Sequence, residues 1–235
     1  MDKQKRYHIL ASLICGNPLE LFKEIHDLEE CEVDGIHFDV MDGQFVPRLG
    51  LYPEYLKAVK SVTDLPVDVH LMIDNPEASI RAFVDMGMTP NDNITVHAEA
   101  TNHLHYAVKM IKDSGIKVGV ALNPATSLSE LDYVLPDLER VVLMAINPGI
   151  LGHKLIPYML RKIKDLKEKL HDYPHIHIEI DGGVSPDSAA KMVEFGADML
   201  VCGTSSIYKK DRSFKDTVKE FRAIIDTELN VFTRN

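Results

Sequence analysis

In the run Ile36-His37-Phe38-Asp39-Val40 an imidazole and a carboxylate stand two residues apart. Side chains of an extended chain alternate between faces, so His37 and Asp39 point one way and Ile36, Phe38 and Val40 the other. His70 ends the run Asp68-Val69-His70, and Asp181 ends Ile178-Glu179-Ile180-Asp181 before two glycines. Two imidazoles and two carboxylates are a donor set for one divalent ion, such as Zn, Mn, Fe or Co. Taken singly, each has a plainer use as a cap, a turn former or a hydrogen-bonded polar group. His37, Asp39, His70 and Asp181 matter together, and only if the fold brings their strands to one point.

A second constellation is rich in glycine. Gly182 and Gly183 follow Asp181, the run Gly203-Thr204-Ser205 follows Cys202, and Gly149 and Gly152 flank Ile150-Leu151. Backbone N–H groups of such loops approach phosphate oxygens closely. The segment from Gly149 to Gly152 could form a flap over a ligand. The plainer use of each glycine is a tight left-handed turn.

The elements that must position these residues are legible as alternating short apolar runs and longer amphipathic ones. Strands are predicted at 8–12, 35–40, 67–72, 93–97, 117–122, 140–146, 176–181 and 199–202. Helices are predicted at 17–31, 52–62, from Pro76, at 101–114 up to Gly115, 127–135, 157–171, 187–195 and 213–229. In the first helix Leu19, Phe22, Ile25 and Leu28 are expected on the buried face, and Asn75 is expected to cap the third. Eight strands alternating with eight helical segments imply an α/β fold with parallel strands and helical crossovers. That number favours a closed (β/α)8 barrel, which typically takes about 250 residues. The whole chain, 1–235, reads as one such domain, and an open doubly wound sheet is the alternative. In a barrel the chemistry lies at the carboxyl ends of the strands. Ser12, His37, Asp39, His70, His97, Asn123, Asn147 and Asp181 fall there, with His97 expected as a hydrogen-bonded structural group.

Composition narrows the function classes. The chain has 235 residues, 45% of them hydrophobic, and a formal net charge of −10. An acidic balance argues against a nucleic-acid binder, whose phosphate contacts need a basic face. No run approaches a membrane span in length, and the charged start Met1–Tyr7 with the short apolar stretch Ile9–Cys15 does not read as a secretory leader. Cys15, Cys31 and Cys202 are too few and scattered for a disulfide scaffold, which suits a reducing cytoplasm.

Seven stretches then point to a family. D-V-M-D-G-Q-F-V-P (39–47), L-P-V-D-V-H-L-M-I (65–73), I-T-V-H-A-E-A (94–100), L-N-P-A-T (122–126), N-P-G (147–149), I-E-I-D-G-G-V (178–184) and G-A-D-M-L-V-C-G-T-S (196–205) resemble the ribulose-phosphate 3-epimerases, in the same order. That family is a metal-dependent (β/α)8 barrel interconverting D-ribulose 5-phosphate and D-xylulose 5-phosphate. The resemblance implies His37, Asp39, His70 and Asp181 as metal ligands. The reaction removes the C3 proton and returns one to the opposite face, through an enediolate that a bound cation stabilises. Asp39 and Asp181 are then the acid/base pair. Ser12, His70, Met41, Met72, Met144, Gly149 and Gly152 would contact the sugar, and Gly182, Gly183, Gly203, Thr204 and Ser205 the phosphate. A homo-oligomer with a ketose phosphate as its ligand is expected, with neither nucleic acid nor membrane as partner.

The chain departs from the family at the rim. Its opening is Ser12-Leu13-Ile14-Cys15, closer to the allulose-6-phosphate 3-epimerase branch; Arg48 stands where Asn is usual; and the flap reads N-P-G-I-L-G-H-K, with His153 in place of Gln. V-H-A-E-A and D-G-G look more like the ribulose-phosphate branch. Arg48 and the flap are expected to reshape the sugar end of the pocket, unless Arg48 merely points to solvent. A D-allulose 6-phosphate 3-epimerase, a metal-free decarboxylase or synthase on a similar barrel, and a non-catalytic phosphosugar-binding module are the competing readings. The decarboxylase motif D-x-K-x-x-D is absent from the sequence.

Overall fold

The structure, a computed structural model, describes residues 5–150 and 153–232. Eight parallel strands close into a barrel in sequence order: β1 (His8–Ser12), β2 (Gly35–Met41), β3 (Val67–Met72), β4 (Asn93–His97), β5 (Lys117–Leu122), β6 (Arg140–Met144), β7 (His177–Asp181) and β8 (Met199–Cys202). The crossovers carry α1 (Leu21–Glu30), α2 (Pro53–Lys60), α3 (Glu77–Val84), α4 (Leu104–Asp113), α5 (Met159–Lys169), α6 (Pro186–Glu194) and α7 (Phe214–Phe232). This is the expected (β/α)8 barrel.

Period-two alternation sorts each strand into a helix-facing and a lumen-facing set. Ile36 and Phe38 of β2, Val69 and Leu71 of β3, and Ile178 and Ile180 of β7 belong to the large aliphatic core that the helices cover. Burying one such side chain contributes about 1.5–3 kcal/mol. The other set fills the lumen, and it is polar: His37 and Asp39, Asp68 and His70, Asn93, Thr95 and His97, Arg140, and Glu179 are all buried. Register aligns them in neighbouring strands, with Ser12 opposite His37, Asp39 opposite His70, and Met144 opposite Asp181.

Several local expectations are corrected. α1 starts at Leu21, because the Asn17 side chain accepts the N–H of Leu19 in a turn ahead of the helix. The buried stripe is therefore Leu21, Ile25 and Leu28, while Leu19 and Phe22 are 92% and 70% exposed. Asn75 does not cap α3 through its side chain. Its φ is +50°, in the left-handed region, and its amide donates to Asp74. α4 begins at Leu104 because Thr101 Oγ1 accepts the His103 N–H in a turn. It ends where expected, with Gly115 at φ +76° just beyond it. The helix expected at 127–135 is instead two 3-10 turns, Leu128–Leu131 and Leu135–Asp137, the second containing Pro136. Proline cannot supply the N–H that would continue an α-helix there.

β2, which carries His37 and Asp39, is anchored at its start by Asp34. The Asp34 carboxylate accepts from the Ile9 N–H at 2.8 Å, Lys5 at 2.7 Å and Arg222 at 2.8 Å, with His8 at 3.3 Å. Burial would raise its pKa, but His8, Lys5, the Ile9 N–H and Arg222 outweigh burial and hold it well below 3.8. A depressed carboxyl pKa contributes stability that is present above the unfolded value, near 4, and lost as pH falls through the folded value. Asp34→Asn is therefore expected to cost about 1–3 kcal/mol at pH 7. The gap between the wild type and the variant should close below pH 4 in urea melts run from pH 7 to 2. A gap that stays constant with pH contradicts the assignment.

Candidate metal centre and substrate cavity

The carboxyl ends of β2, β3 and β7 bring His37, Asp39, His70 and Asp181 together. One ligand atom of each lies within 4.8 Å of those of the others. His37 Nε2 is 3.4 Å from Asp39 Oδ1 and 3.8 Å from Asp181 Oδ2, and His70 Nδ1 is 3.2 Å from His37 Nε2 and 3.5 Å from Asp181 Oδ2. Both imidazoles are fully buried, and Asp181 is the part of the cluster most open to solvent.

The far nitrogen of each imidazole fixes its tautomer. His37 Nδ1 donates to Asp68 Oδ2 at 2.9 Å, which leaves the Nε2 lone pair facing the cluster. Glu179 Oε1 is 3.1 Å from the same nitrogen but makes no aligned hydrogen bond. His70 Nε2 is 2.9 Å from His97 Nε2, and His97 Nδ1 is 3.2 Å from Glu99 Oε2. Burial pulls the His97 pKa down to about 4. A neutral His97 that donates to Glu99 must accept at Nε2, so His70 donates there and turns its Nδ1 lone pair to the cluster. For His37, burial opposes the charged form, but Asp39, Asp68 and Glu179 together raise its pKa well above 6.5. For Asp39, burial is again opposed, and His37 and His70 bring its pKa down.

Beneath the cluster lies a second layer. Asp68 accepts from Arg140 at 3.0 Å and from Asn93 Nδ2 at 2.6 Å, and Arg140 also donates to Glu179 at 2.6 Å. Burial pushes the Glu179 carboxyl up, and the Asp68 charge adds to this against Arg140. The sequence reading missed this layer. Its signal was the same alternation read one step deeper: Asp68 two before His70, Glu179 two before Asp181, and Asn93 and Thr95 before His97.

Above the cluster opens a cavity of about 700 Å³, continuous with solvent. Ser12, Asp39, Met41, Met72, Met144, Gly149, Asp181, Gly182, Gly183, Gly203, Thr204 and Ser205 all line it. Ser12 Oγ donates to Asp39 Oδ2 at 2.9 Å. Gly182 and Gly183 have φ of +89° and +66°; a Cβ on the first would fall 2.3 Å from the Ile146 side chain, and on the second 2.8 Å from Leu155 backbone. Only glycine fits this turn without strain. Thr204 and Ser205 stand in an exposed turn closed on the Gly203 carbonyl, rather than at a helix start. Gly152 and Leu151 lie outside the described residues. His97 meets the cavity only through His70, and neither Asn123 nor Asn147 lines it. Cys15, Arg48, Ile150 and His153, the departures noted at the rim, do line it. No lysine does so among the described residues, as the decarboxylase or synthase reading would need.

Known proteins resemble this chain in sequence and in fold. The profile of the "Ribulose-phosphate 3 epimerase family" matches residues 8–208. The chain is 42% identical over 216 residues to a ribulose-phosphate 3-epimerase of Bacillus subtilis, covering 91% of this chain and 97% of that one. It is 39% identical over 221 residues to one of Methanocaldococcus jannaschii, covering 94% and 92%. Its fold is similar to that of a 3-keto-L-gulonate-6-phosphate decarboxylase from Vibrio cholerae, with a TM-score of 0.71 at 13% identity over 95% and 99% of the two chains. At that identity the likeness concerns the barrel alone. With a profile match over most of its length and relatives near 40% identity, the chain belongs to the ribulose-phosphate 3-epimerase family.

Proposed function

We propose that the chain interconverts D-ribulose 5-phosphate and D-xylulose 5-phosphate by exchanging a proton at C3. The observation that carries this reading is the convergence of His37, Asp39, His70 and Asp181 on one point at the floor of a cavity with a glycine-lined rim. The relatives, named for this reaction, support a five-carbon rather than a six-carbon substrate.

Two imidazole nitrogens and two carboxylate oxygens suit one divalent cation, Zn, Mn, Fe or Co. His37 and His70 each tie their far nitrogen to a fixed partner, Asp68 and His97, which leaves the near nitrogen of each for such an ion; at His37 the ion would displace the proton that the surrounding carboxylates favour. When bound, it supplies a Lewis acid that stabilises negative charge on the ketose oxygens. The remaining work falls to side chains. Asp39 and Asp181 come from strands three positions apart round the barrel and can face opposite sides of C3. One takes the proton and the other returns one, with the roles exchanged in the reverse direction. Ser12 holds Asp39 Oδ2 and so fixes the plane of that carboxylate. Met41, Met72 and Met144 are buried at the cavity floor, where their thioethers exclude water from C3. The backbone at Gly182, Gly183, Gly203, Thr204 and Ser205 receives the phosphate, and Gly149 borders the sugar. A cytoplasmic setting is supported by three free thiols. A homo-oligomer is supported by the exposed Leu19 and Phe22.

Chelation should abolish epimerisation, and a divalent metal should restore it. His37→Ala and His70→Ala should each lose metal by elemental analysis, while Asp68→Asn should bind it 10–100-fold more weakly by competition titration. Full activity in metal-free protein would overturn the role of the cation.

Asp39→Asn and Asp181→Asn should each cut kcat by about a thousandfold or more while melting within a few degrees of wild type. In D2O the wild type should place deuterium at C3 of both sugars. Product free of solvent hydrogen at C3 excludes the proton-exchange mechanism.

A further inference from the structure

Arg48 is the one permanent cation among the described residues that line the cavity. Its Nη1 is inaccessible to solvent and has no hydrogen-bond partner. A buried guanidinium N–H left without an acceptor is costly, so its place in the fold calls for an acceptor that the protein itself does not provide. The side chain is not there by slack in the loop. Arg48 N–H donates to the Val46 carbonyl, its own carbonyl accepts from Gly43, Gly50 N–H returns to Met41, and Leu51 N–H returns to Asp39. Asp42 further caps the loop by accepting from the N–H groups of Gln44 and Phe45. Leu49, the next residue, is 75% exposed, while Arg48 is half-buried and lines the cavity.

The acceptor can be narrowed by charge. Two carboxylates, Asp39 and Asp181, line the same cavity, and Arg48 makes an ion pair with neither, although an unpaired guanidinium within reach of one would take it. The guanidinium is therefore left without a carboxylate partner in the cavity. The rest of the wall is the flap at Pro148–Ile150 and the turns at Gly182–Gly183 and Gly203–Ser205, which offer no other permanent charge. The phosphate monoester of the substrate carries the charge that this wall lacks the means to neutralise.

We propose that Arg48 binds the substrate's phosphate as a charged clamp, and so sets affinity at that end rather than reading the sugar hydroxyls. This rests on the proposed epimerase reading for its ligand, but its test does not need turnover. Inorganic phosphate titrated calorimetrically into the metal-loaded protein should bind at least tenfold more weakly to Arg48→Met than to wild type, with Arg48→Lys in between, at equal metal content and similar melting temperature. KM for D-ribulose 5-phosphate should rise in the same order. Phosphate affinity within twofold of wild type in Arg48→Met overturns the proposal. So does unchanged phosphate affinity with an altered ratio of kcat/KM between five- and six-carbon ketose phosphates, which would place the guanidinium on the sugar. If Arg48→Met fails to fold, Arg48→Gln is read by the same criteria. Arg48-dependent phosphate binding in a wild type that epimerises no ketose phosphate would sustain the clamp and overturn the proposed reaction.

Discussion

A neutral imidazole can turn a lone pair toward a cation only if its one proton stays on the other nitrogen, held there by a hydrogen-bond acceptor. At His37 that acceptor is Asp68, 2.9 Å away and buried beneath the cluster. The rest of the lumen follows from this bond. A buried Asp68 carboxylate needs compensation, and Arg140 and Asn93 provide it from β6 and β4. Arg140 in turn binds Glu179, which sits two residues below Asp181. Side chains from four strands thus fix one tautomer of a histidine on a fifth. On the other side, His70, His97 and Glu99 form a linear relay that does the same for the second histidine.

This arrangement is expensive. Desolvation of buried charges costs several kcal/mol per ion, and removing one partner of such a network typically costs about 3–5 kcal/mol. A barrel interior is ordinarily filled by branched apolar side chains. Here the lumen beneath the cavity contributes specificity of geometry, and stability comes from the other face of the same strands. Phe38, Val69, Leu71, Ile178 and Ile180 lie under the helices with no more than a trace of exposure. The alternation of a strand permits this division, because a single residue step separates an ionic lumen from an aliphatic shell.

The barrel and the cluster were legible because both follow from period two. Runs such as Ile36–Val40 say which residues share a face, and eight alternations say that the faces close. The ends of helices were less legible, because local hydrogen bonds decide them. Asn17 and Thr101 each hold a turn that delays a helix, and Pro136 breaks a segment whose apolar spacing reads as helical. Asn75 has the composition of a cap but takes a left-handed backbone instead. The layer of Asp68, Arg140 and Glu179 was hidden for a different reason. Charged residues midway along a strand look like faults in an apolar run until the closure of the barrel shows that they meet.

Floor and rim are therefore under different physical constraints. A change at Asp68 or His97 propagates through fixed hydrogen bonds into the tautomer of a ligand, so that layer tolerates little. Cys15, Arg48, Ile150 and His153 line the cavity from loops at the rim, where a new side chain meets solvent and ligand more than it meets the core. Among the described residues, the departures from the family pattern at these four positions line the cavity and leave His37, Asp39, His70 and Asp181 in place. On the proposed reading, the chemistry at C3 would depend on groups the barrel locks, and what the pocket grips would depend on groups the loops can exchange. A cation can enter on the second kind of position without disturbing the first, provided its own loop is tied down. The loop of Arg48 is tied to the backbone of Asp39 and Met41 at the end of β2. That tie fixes the backbone from which Arg48 projects and lies on main-chain atoms alone, so it leaves the side chains of the cluster untouched.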